Sequence, residues 1–237
     1  MKQVIIGYGE IGKAVNAVVG NSHVVDTLMG ARSKPPKDVD IMHVCIPYSD
    51  KFVQIVLDYI LEFSPSHIII YSTVPIGTTK QIPRAVHSPV EGVHPELEMS
   101  IRFMGRWVGY NDEDLKIFYK KYFTSIGLKV RLIPNSDFTE ALKLLSTTEY
   151  GVNLVFADYK AKLAKSIKMD YKYTQQWNEE YNRLYQNLGM GKKYQKYVLT
   201  DPGGKIGGHC VVPNAKLLKN IRKHPMLDSI IKMEIKK

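Results

Sequence analysis

The feature that most constrains the fold of this chain is a glycine-rich turn close to its first residue. Val4-Ile5-Ile6 is an apolar run typical of a buried strand, and Gly7-Tyr8-Gly9-Glu10-Ile11-Gly12 follows it directly. A helical stretch then leads to a second strand at residues 23–26. This spacing predicts a βαβ unit that binds a dinucleotide. The first glycine permits the tight turn, the second lets a pyrophosphate approach the backbone, and the third lets the helix pack closely on the strand.

An acidic residue ends the second predicted strand and indicates which dinucleotide binds. The Asp26 carboxylate lies where it can accept a hydrogen bond from a ribose 2′-hydroxyl and repel a 2′-phosphate. The predicted cofactor is therefore NAD rather than NADP, a preference that Arg32 could moderate. The residues predicted to contact it lie in the glycine turn and at the ends of three strands: Gly7, Tyr8, Gly9, Glu10, Ile11, Gly12, Asp26, Ile46, Pro47, Ser72 and Thr73.

Strands and helices alternate through the first 134 residues. Further strands are predicted at residues 41–46, 68–71, 106–109 and 129–133, with helices at 52–63 and 112–126. This alternation predicts an α/β domain whose Rossmann-type, mostly parallel sheet carries helices on both faces.

The pattern becomes helical after Pro134. Ser136 is the predicted N-cap of one long central helix that reaches about residue 168, and a second helix is predicted at 173–188. Residues 189–214 are glycine-rich, and a short helix is predicted from about Asn214. The predicted domains are therefore a Rossmann domain over residues 1–134 and an all-helical domain over residues 135–237.

The long helix carries an apolar stripe at spacings of three, four or seven residues. A domain of about 100 residues cannot cover a stripe of this length, so we predict a homodimer formed through this helix. The stripe comprises Phe138, Leu142, Leu145, Val152, Phe156, Tyr159 and Leu163.

The net charge of +10 is unevenly distributed and favours an anionic partner. Residues 1–134 carry 15 basic and 13 acidic side chains, so most of the excess lies in residues 135–237. Nucleic acid is a poor candidate because the sequence contains no recognised nucleic-acid module. An anionic small molecule is the predicted partner, and the run Lys192-Lys193-Tyr194-Gln195-Lys196 is either a phosphate contact or a solvated loop. The remaining lysines of the long helix fit its solvated side: Lys160, Lys162, Lys165 and Lys168.

The two cysteines, Cys45 and Cys210, suit a reducing compartment. No basic-then-apolar leader opens the sequence, and no apolar stretch approaches the roughly 18 residues of a membrane span. We therefore expect a cytoplasmic protein with free thiols, no membrane association and no bound metal. Cys45 lies inside an apolar strand and is predicted to be a small core residue.

Two groups of residues outside the glycine turn could carry chemistry. Lys143 and Thr147 share one helix face away from the apolar stripe. Lys143 is either solvated or, if buried beside a cofactor, able to take a proton from an alcohol. Cys210 follows a loop with four glycines in six residues, beside His209 and Lys205. It is either a nucleophile with a lowered pKa or an incidental cysteine in a flexible loop.

Several motifs in these segments occur in a fixed order along the chain. They are Val44-Cys45-Ile46-Pro47, Tyr71-Ser72-Thr73-Val74-Pro75-Ile76-Gly77-Thr78-Thr79, Ser88-Pro89, Glu140-Ala141-Leu142-Lys143-Leu144-Leu145-Ser146-Thr147 and Gly207-Gly208-His209-Cys210. Together they resemble the UDP-glucose/GDP-mannose (nucleotide-sugar) dehydrogenases from Gly7 to about Leu218. Members of that family oxidise a primary alcohol to a carboxylate in two hydride transfers to NAD, and they dimerise through their central helices.

The resemblance implies a role for each matching residue. Cys210 would attack the intermediate aldehyde and carry a thiohemiacetal and then a thioester, which water hydrolyses. Lys143 would bind or deprotonate the reacting oxygen. Thr73 would help hold the catalytic water, and Glu91 would be an acid–base residue.

The chain departs from the family pattern at three positions and in length. Val90 and a shortened segment replace the family's glutamate after Ser-Pro, Thr147 replaces its asparagine, and Asn214 replaces its aspartate. The sequence stops where the family's second Rossmann-like domain would begin, so the resemblance implies a short form of the enzyme. Thr147 and Asn214 are retained as candidate catalytic residues.

Three functions remain open on the sequence. The first is a dehydrogenase that oxidises an anionic sugar nucleotide or sugar phosphate through Cys210. The second is a two-electron dehydrogenase of the 6-phosphogluconate or 3-hydroxyacid type, in which Lys143 is essential and Cys210 is dispensable. The third is a non-catalytic NAD-binding partner protein, which the departures at Val90, Thr147 and Asn214 favour.

Overall fold

A computed structural model describes residues 1–26, 37–208 and 210–235 of the chain. Arg32 and His209 lie outside the described residues. Seven strands, eight α-helices and one 3-10 helix, Thr79–Gln81, are assigned within those residues. The strands are β1 Gln3–Ile6, β2 Ser22–Val25, β3 Ile41–Val44, β4 His67–Ile70, β5 Ala85–His87, β6 Arg106–Tyr110 and β7 Val130–Pro134. The helices are α1 Glu10–Val19, α2 Phe52–Phe63, α3 Leu97–Met104, α4 Glu113–Ser125, α5 Ser136–Ser166, α6 Lys172–Asn187, α7 Val211–Ile221 and α8 Pro225–Lys232.

The strands form one sheet in the order β2-β1-β3-β4-β5-β6-β7. Strands β1 to β5 are mutually parallel, β6 pairs antiparallel with β5, and β7 is parallel to β6. The order reverses between β1 and β3, because β2 lies on one side of β1 and β3 on the other. The carboxyl ends of strands at such a reversal form the crevice in which α/β folds bind their ligands. The predicted Rossmann-type, mostly parallel sheet is confirmed.

Alternation along the strands builds a core on each face of this sheet. Ile5 and Ile69 belong to one core, together with Val15 of α1 and Leu115 of α4. The neighbouring strand residues point the other way, so Val4 and Met42 join a second core that includes Phe52 of α2. Burial on both faces explains why these strands read as continuous apolar runs.

The chain divides into two compact units, Met1–Lys143 and Leu144–Lys237. The predicted boundary at residue 134 marks the change from alternating strands and helices to helices alone, but the first turns of α5 belong to the first unit. In the second unit, α7 and α8 bury a small core with residues of α5. The backbone N–H of Ile206 donates to Met233 O at 2.7 Å and ties the glycine-rich segment to this core.

Local differences from the sequence predictions have simple causes. Strand β5 has only three residues, and α3 lies in a proline-rich passage, so neither gives a clear periodic signal. Ser136 was expected to be the N-cap of α5 but is its first helical residue. The Asn135 side chain fills the capping role instead, because its Oδ1 accepts from the Asp137 N–H at 3.0 Å. Helix α7 begins at Val211, three residues before the predicted start.

Candidate functional site

The glycine turn between β1 and α1 has the geometry that only glycine allows at two of its three positions. Gly7 has a φ of +90°, and a Cβ there would lie 2.9 Å from the Cys45 carbonyl oxygen. A Cβ on Gly12 would lie 2.0 Å from the Gly7 carbonyl oxygen, so a side chain would force helix and strand apart. A Cβ on Gly9 would meet nothing within 4 Å. The space over Gly9 is therefore open to a ligand that approaches the backbone.

The start of α1 supplies the groups that a pyrophosphate needs. Gly9 is the N-cap and provides no side-chain acceptor for the N–H groups of the first turn. The Asp26 carboxylate, at the end of β2, accepts from the Tyr8 N–H at 2.6 Å and fixes the turn against the second strand. The first helical residue, Glu10, is exposed, and its Oε2 lies 2.8 Å from His94 Nδ1. Apart from the Glu10 carboxylate, the turn has the N–H donors and the open backbone that suit a dinucleotide.

The segments after β3 and β4 are held together beside this turn. The buried Ser72 hydroxyl donates to the Ile46 carbonyl oxygen at 2.6 Å. Ile46-Pro47 and Ser72-Thr73 thus form adjoining ends of parallel strands, and Thr73 is half-buried. Cys45 is buried, and burial raises the pKa of its thiol, which leaves it in the unreactive neutral form. It is the core residue that the sequence predicts.

Sequence reasoning missed the role of Glu140, a fully buried carboxylate in the second turn of α5. Its Oε2 accepts from the Gly77 N–H at 2.6 Å, and its Oε1 accepts from the Thr79 N–H at 2.8 Å and the Thr79 hydroxyl at 2.6 Å. Burial raises the pKa of this carboxyl, and the three donors oppose that shift. Glu140 therefore fastens the segment that follows Thr73 to the start of α5.

His87, the last residue of β5, makes a second link to α5 that the sequence did not indicate. Its Nε2 lies 3.2 Å from the Ser72 carbonyl oxygen, and its Nδ1 lies 2.9 Å from the Thr139 hydroxyl. A carbonyl can only accept, so Nε2 carries the proton and Nδ1 accepts from Thr139. Burial lowers the pKa of His87 to about 3, which keeps the ring neutral. The ring therefore couples the end of β4 to α5.

Lys143 and Glu91 form one of the charged pairs of the first unit. The Lys143 side chain is 15% exposed, and its Nζ donates to the Val90 carbonyl oxygen at 2.7 Å. Glu91 Oε1 lies 3.5 Å from the same nitrogen. At 15% exposure, the Lys143 side chain is largely shielded from solvent. The pair brings together a base candidate and an acid candidate that the sequence had named separately.

The remaining candidate residues lie in the second unit. Thr147 is half-buried on α5, one helical turn beyond Lys143. Cys210 is exposed, and it is the residue from which α7 begins. Asn214 is buried in the first turn of that helix, where its N–H donates to the Cys210 carbonyl oxygen at 3.1 Å. The thiol is thus open to a reactant, while the residue at the family's aspartate position is not.

In residues 1–26, 37–208 and 210–235, no group of three or more His, Cys, Asp or Glu side chains is placed to hold a metal ion. No helix among these residues is both long enough and apolar enough to cross a membrane.

Comparisons with known proteins agree with this geometry. No protein-family model matches the chain. A curated UDP-N-acetyl-D-mannosamine dehydrogenase from Methanocaldococcus jannaschii is 25% identical over 227 residues, which cover 79% of this chain and 48% of the relative. The chain thus spans about half the length of that relative. The resemblance to nucleotide-sugar dehydrogenases is confirmed.

Solved structures share the fold. A UDP-D-ManNAc dehydrogenase from Pyrococcus horikoshii superposes with a TM-score of 0.79 at 16% identity, covering 98% of this chain and 68% of the other. A 3-hydroxyisobutyrate dehydrogenase from Mycobacterium tuberculosis gives a TM-score of 0.68 at 12% identity, covering 97% of this chain and 91% of the other. The predicted fold, a Rossmann-type domain followed by helices, is therefore found in known dehydrogenases.

Proposed function

We propose that this chain is an NAD-dependent oxidoreductase that oxidises a primary alcohol of an anionic sugar nucleotide or sugar phosphate. The observation that carries the proposal is the contact between Lys143 and Glu91 in the same compact unit as the glycine turn. The dinucleotide-type turn and a largely shielded amine beside a carboxylate are parts that suit the dehydrogenation of an alcohol.

NAD fits the turn for reasons of space and charge. Gly9 and the first N–H groups of α1 would hold the pyrophosphate, and Asp26 would face the adenosine ribose. Ile46, Pro47, Ser72 and Thr73 would line the path toward the nicotinamide. Bound NAD supplies the two-electron acceptor.

Lys143 and Glu91 would handle the proton of the alcohol. The Lys143 amine donates to one carbonyl oxygen and stands close to one carboxylate oxygen, so a proton can pass between amine and acid without a large movement. Lys143 would bind the reacting oxygen and Glu91 would relay the proton. Thr73, at the carboxyl end of β4, would hold the water that hydrolyses an acyl intermediate.

Cys210 would allow a second oxidation of the same carbon. Its thiol would add across the aldehyde C=O, the thiol proton passing to the oxygen, to give a thiohemiacetal. That adduct would become a thioester by losing a hydride, for which a second NAD would be the acceptor, and its hydroxyl proton, which would pass to water. Water then cleaves the C–S bond, releasing a carboxylate and restoring the thiol. The exposed thiol suits this role. Thr147 and Asn214 are proposed to assist at the positions where the family has an asparagine and an aspartate.

The positive charge of the helical part suits an anionic substrate. Most of the net charge of +10 lies in residues 135–237, and Lys192, Lys193 and Lys196 are exposed in one short segment. These lysines are proposed to contact a phosphate. Because the relative is named for UDP-N-acetyl-D-mannosamine, that sugar nucleotide is the first substrate to test.

We also propose a homodimer formed through α5. Six side chains of the predicted stripe remain 47–59% exposed along this helix. Single exposed apolar residues need no partner, but a row along a 31-residue helix does. The six are Phe138, Leu142, Leu145, Phe156, Tyr159 and Leu163.

The two-electron alternative has its own support. This chain covers 91% of the length of the 3-hydroxyisobutyrate dehydrogenase. It covers only 68% of the length of the sugar-nucleotide dehydrogenase from Pyrococcus horikoshii. In that case Lys143 is essential, Cys210 is dispensable, and the product is an aldehyde or ketone.

The test is NAD reduction with UDP-N-acetyl-D-mannosamine, other nucleotide sugars, sugar phosphates and 3-hydroxy acids. Wild type is compared with Cys210→Ser and with Cys45→Ala, a matched control at the buried thiol. We expect two NADH per substrate in the wild type and in Cys45→Ala, and loss of the acid product in Cys210→Ser.

Each other outcome selects a different function. Equal rates in all three proteins with one NADH per substrate would remove Cys210 from the mechanism and favour the two-electron reaction. NADH binding without turnover on any compound would instead favour the non-catalytic NAD-binding partner.

A further inference from the structure

A buried arginine contacts the backbone beside the Lys143–Glu91 pair. Arg106, the first residue of β6, is 3% exposed. Its Nε donates to the Ser88 hydroxyl at 3.0 Å, and its Nη2 donates to the Pro89 carbonyl oxygen at 2.6 Å and also to the Ser88 carbonyl oxygen. The guanidinium lies 5.3 Å from the centre of the Tyr71 ring.

Two cations therefore act on three consecutive carbonyl groups. Arg106 binds the carbonyls of Ser88 and Pro89, and Lys143 binds that of Val90. The next residue is Glu91, whose carboxylate faces Lys143. This short segment passes from complete burial at Ser88 to partial exposure at Glu91. Its backbone path thus determines where the Glu91 side chain emerges.

The energetics of Arg106 argue against a simple packing role. Among the residues that the structure describes, no carboxylate forms an ion pair with it, and a buried cation without one costs several kcal/mol. Burial lowers its pKa, while the neighbouring Tyr71, Cys45 and Glu91 act in the opposite direction. An arginine remains charged in such a place because its planar donors satisfy several acceptors at once. An apolar side chain could fill the same volume without that cost.

We propose that Arg106 is a positioning residue that fixes the Ser88–Pro89 backbone so that Val90 O and the Glu91 carboxylate are presented to Lys143. The inference rests on the proposed function, in which that pair handles the substrate proton. In this proposal Arg106 has no direct part in binding substrate or cofactor. It acts through the segment that carries Glu91.

The test measures the accessibility of the Lys143 amine, which does not depend on turnover. Wild type, Arg106→Lys and Arg106→Met are acetylated with trace acetic anhydride, and each lysine is quantified by peptide mass spectrometry. Lys162, which is 70% exposed, serves as the internal reference. The matched control is Arg131→Met, because Arg131 is an exposed arginine on the neighbouring strand β7.

In the wild type and the control, we expect Lys143 to react about tenfold more slowly than Lys162. In Arg106→Met the Lys143 rate should rise by about fivefold or more, because the freed segment no longer holds Val90 O against the amine. Arg106→Lys should give an intermediate rate, since an ammonium lacks the planar fork that reaches two carbonyls. A wild-type Lys143 rate in either folded variant would overturn the proposal. If Arg106→Met shows no melting transition and is therefore unfolded, the Lys143 acetylation rate in Arg106→Lys decides the proposal.

A kinetic measurement separates positioning from general destabilisation. With UDP-N-acetyl-D-mannosamine as substrate, kcat per NADH-binding site in Arg106→Lys should fall by about tenfold or more, while the Kd for NADH stays within about threefold. An unchanged kcat per binding site would contradict the positioning role. If wild type fails to turn over any substrate, the proposed function fails, and the labelling result still decides the role of Arg106.

Discussion

The buried carboxylate of Glu140 offers the sharpest test of how the candidate site is held together. Replacing it by alanine removes three hydrogen bonds that join the Gly77–Thr79 segment to α5. Both oxygens of this carboxylate are used, and the donors on Thr79 are themselves buried. The variant Glu140→Ala therefore leaves buried N–H groups without an acceptor, which is more costly than the loss of an exposed contact.

The expected magnitude follows from the bonds. A hydrogen bond to a charged group contributes about 1.5–3 kcal/mol, and an unsatisfied buried donor costs about 1–3 kcal/mol. Removing the carboxylate also relieves the cost of burying its charge, which the raised pKa of Glu140 reflects. We expect a net loss of about 3–5 kcal/mol in the free energy of unfolding, or roughly 10 °C in Tm for a chain of this size.

A matched control lies one helical turn away on α5. Asp137 joins the same segment through an ion pair with Lys80 at 2.5 Å, but the Lys80 side chain is 45% exposed. A partly exposed pair of this kind contributes about 1 kcal/mol or less, so Asp137→Ala should lower the free energy of unfolding only slightly. Urea unfolding followed by circular dichroism measures both variants. Equal losses in Glu140→Ala and Asp137→Ala would refute the argument from buried hydrogen bonds.

Two further predictions concern pH and assembly. His43 and His87 are buried with pKa values of about 3, against 6.5 in the unfolded chain, so stability is complete above pH 6.5 and is lost as pH falls from 6.5 toward 3. Each histidine should lower the free energy of unfolding by about 2 kcal/mol between pH 7 and pH 5. Urea unfolding at the two pH values should show half of this combined decrease in His43→Gln or in His87→Gln. In light scattering at micromolar concentration, wild type should be a dimer and Phe156→Lys a monomer, because a charge in the exposed stripe of α5 opposes its burial against a second copy. A wild-type monomer would contradict the dimer proposal.

The parts of the molecule that could be predicted from the sequence are those encoded by neighbouring residues. The glycine turn occupies six consecutive positions, and its strand and helix flank it directly, so its geometry follows from local spacing. Lys143 was named from its helix face and from the resemblance, but its exposure was left open between two alternatives. The contacts of Glu140 and Arg106 join positions 61–63 and 17–18 residues apart. Such pairs leave no periodic signal, because each depends on how strands and helices pack.

The same kind of contact joins the first two turns of α5 to the loops of the first compact unit. Thr139, Glu140 and Lys143 lie on the first two turns of α5, and they hold His87, the Gly77–Thr79 segment and Val90 respectively. These contacts stabilise the loops after β4 and β5, so the start of the helix is part of the first unit.

Because Glu140 and Lys143 are neighbours on that helix with different partners, their variants should separate stability from chemistry. Glu140→Ala should lower both Tm and the rate of NAD reduction, since it releases the segment that follows Thr73. Lys143→Met removes the hydrogen bond to Val90 O and the contact with the Glu91 carboxylate, from a side chain that is 15% exposed. It should shift the free energy of unfolding by about 1 kcal/mol and leave NADH binding intact, while NAD reduction falls by about 10²-fold or more. A Lys143→Met protein that keeps wild-type turnover would remove this amine from the mechanism, whatever its effect on Tm.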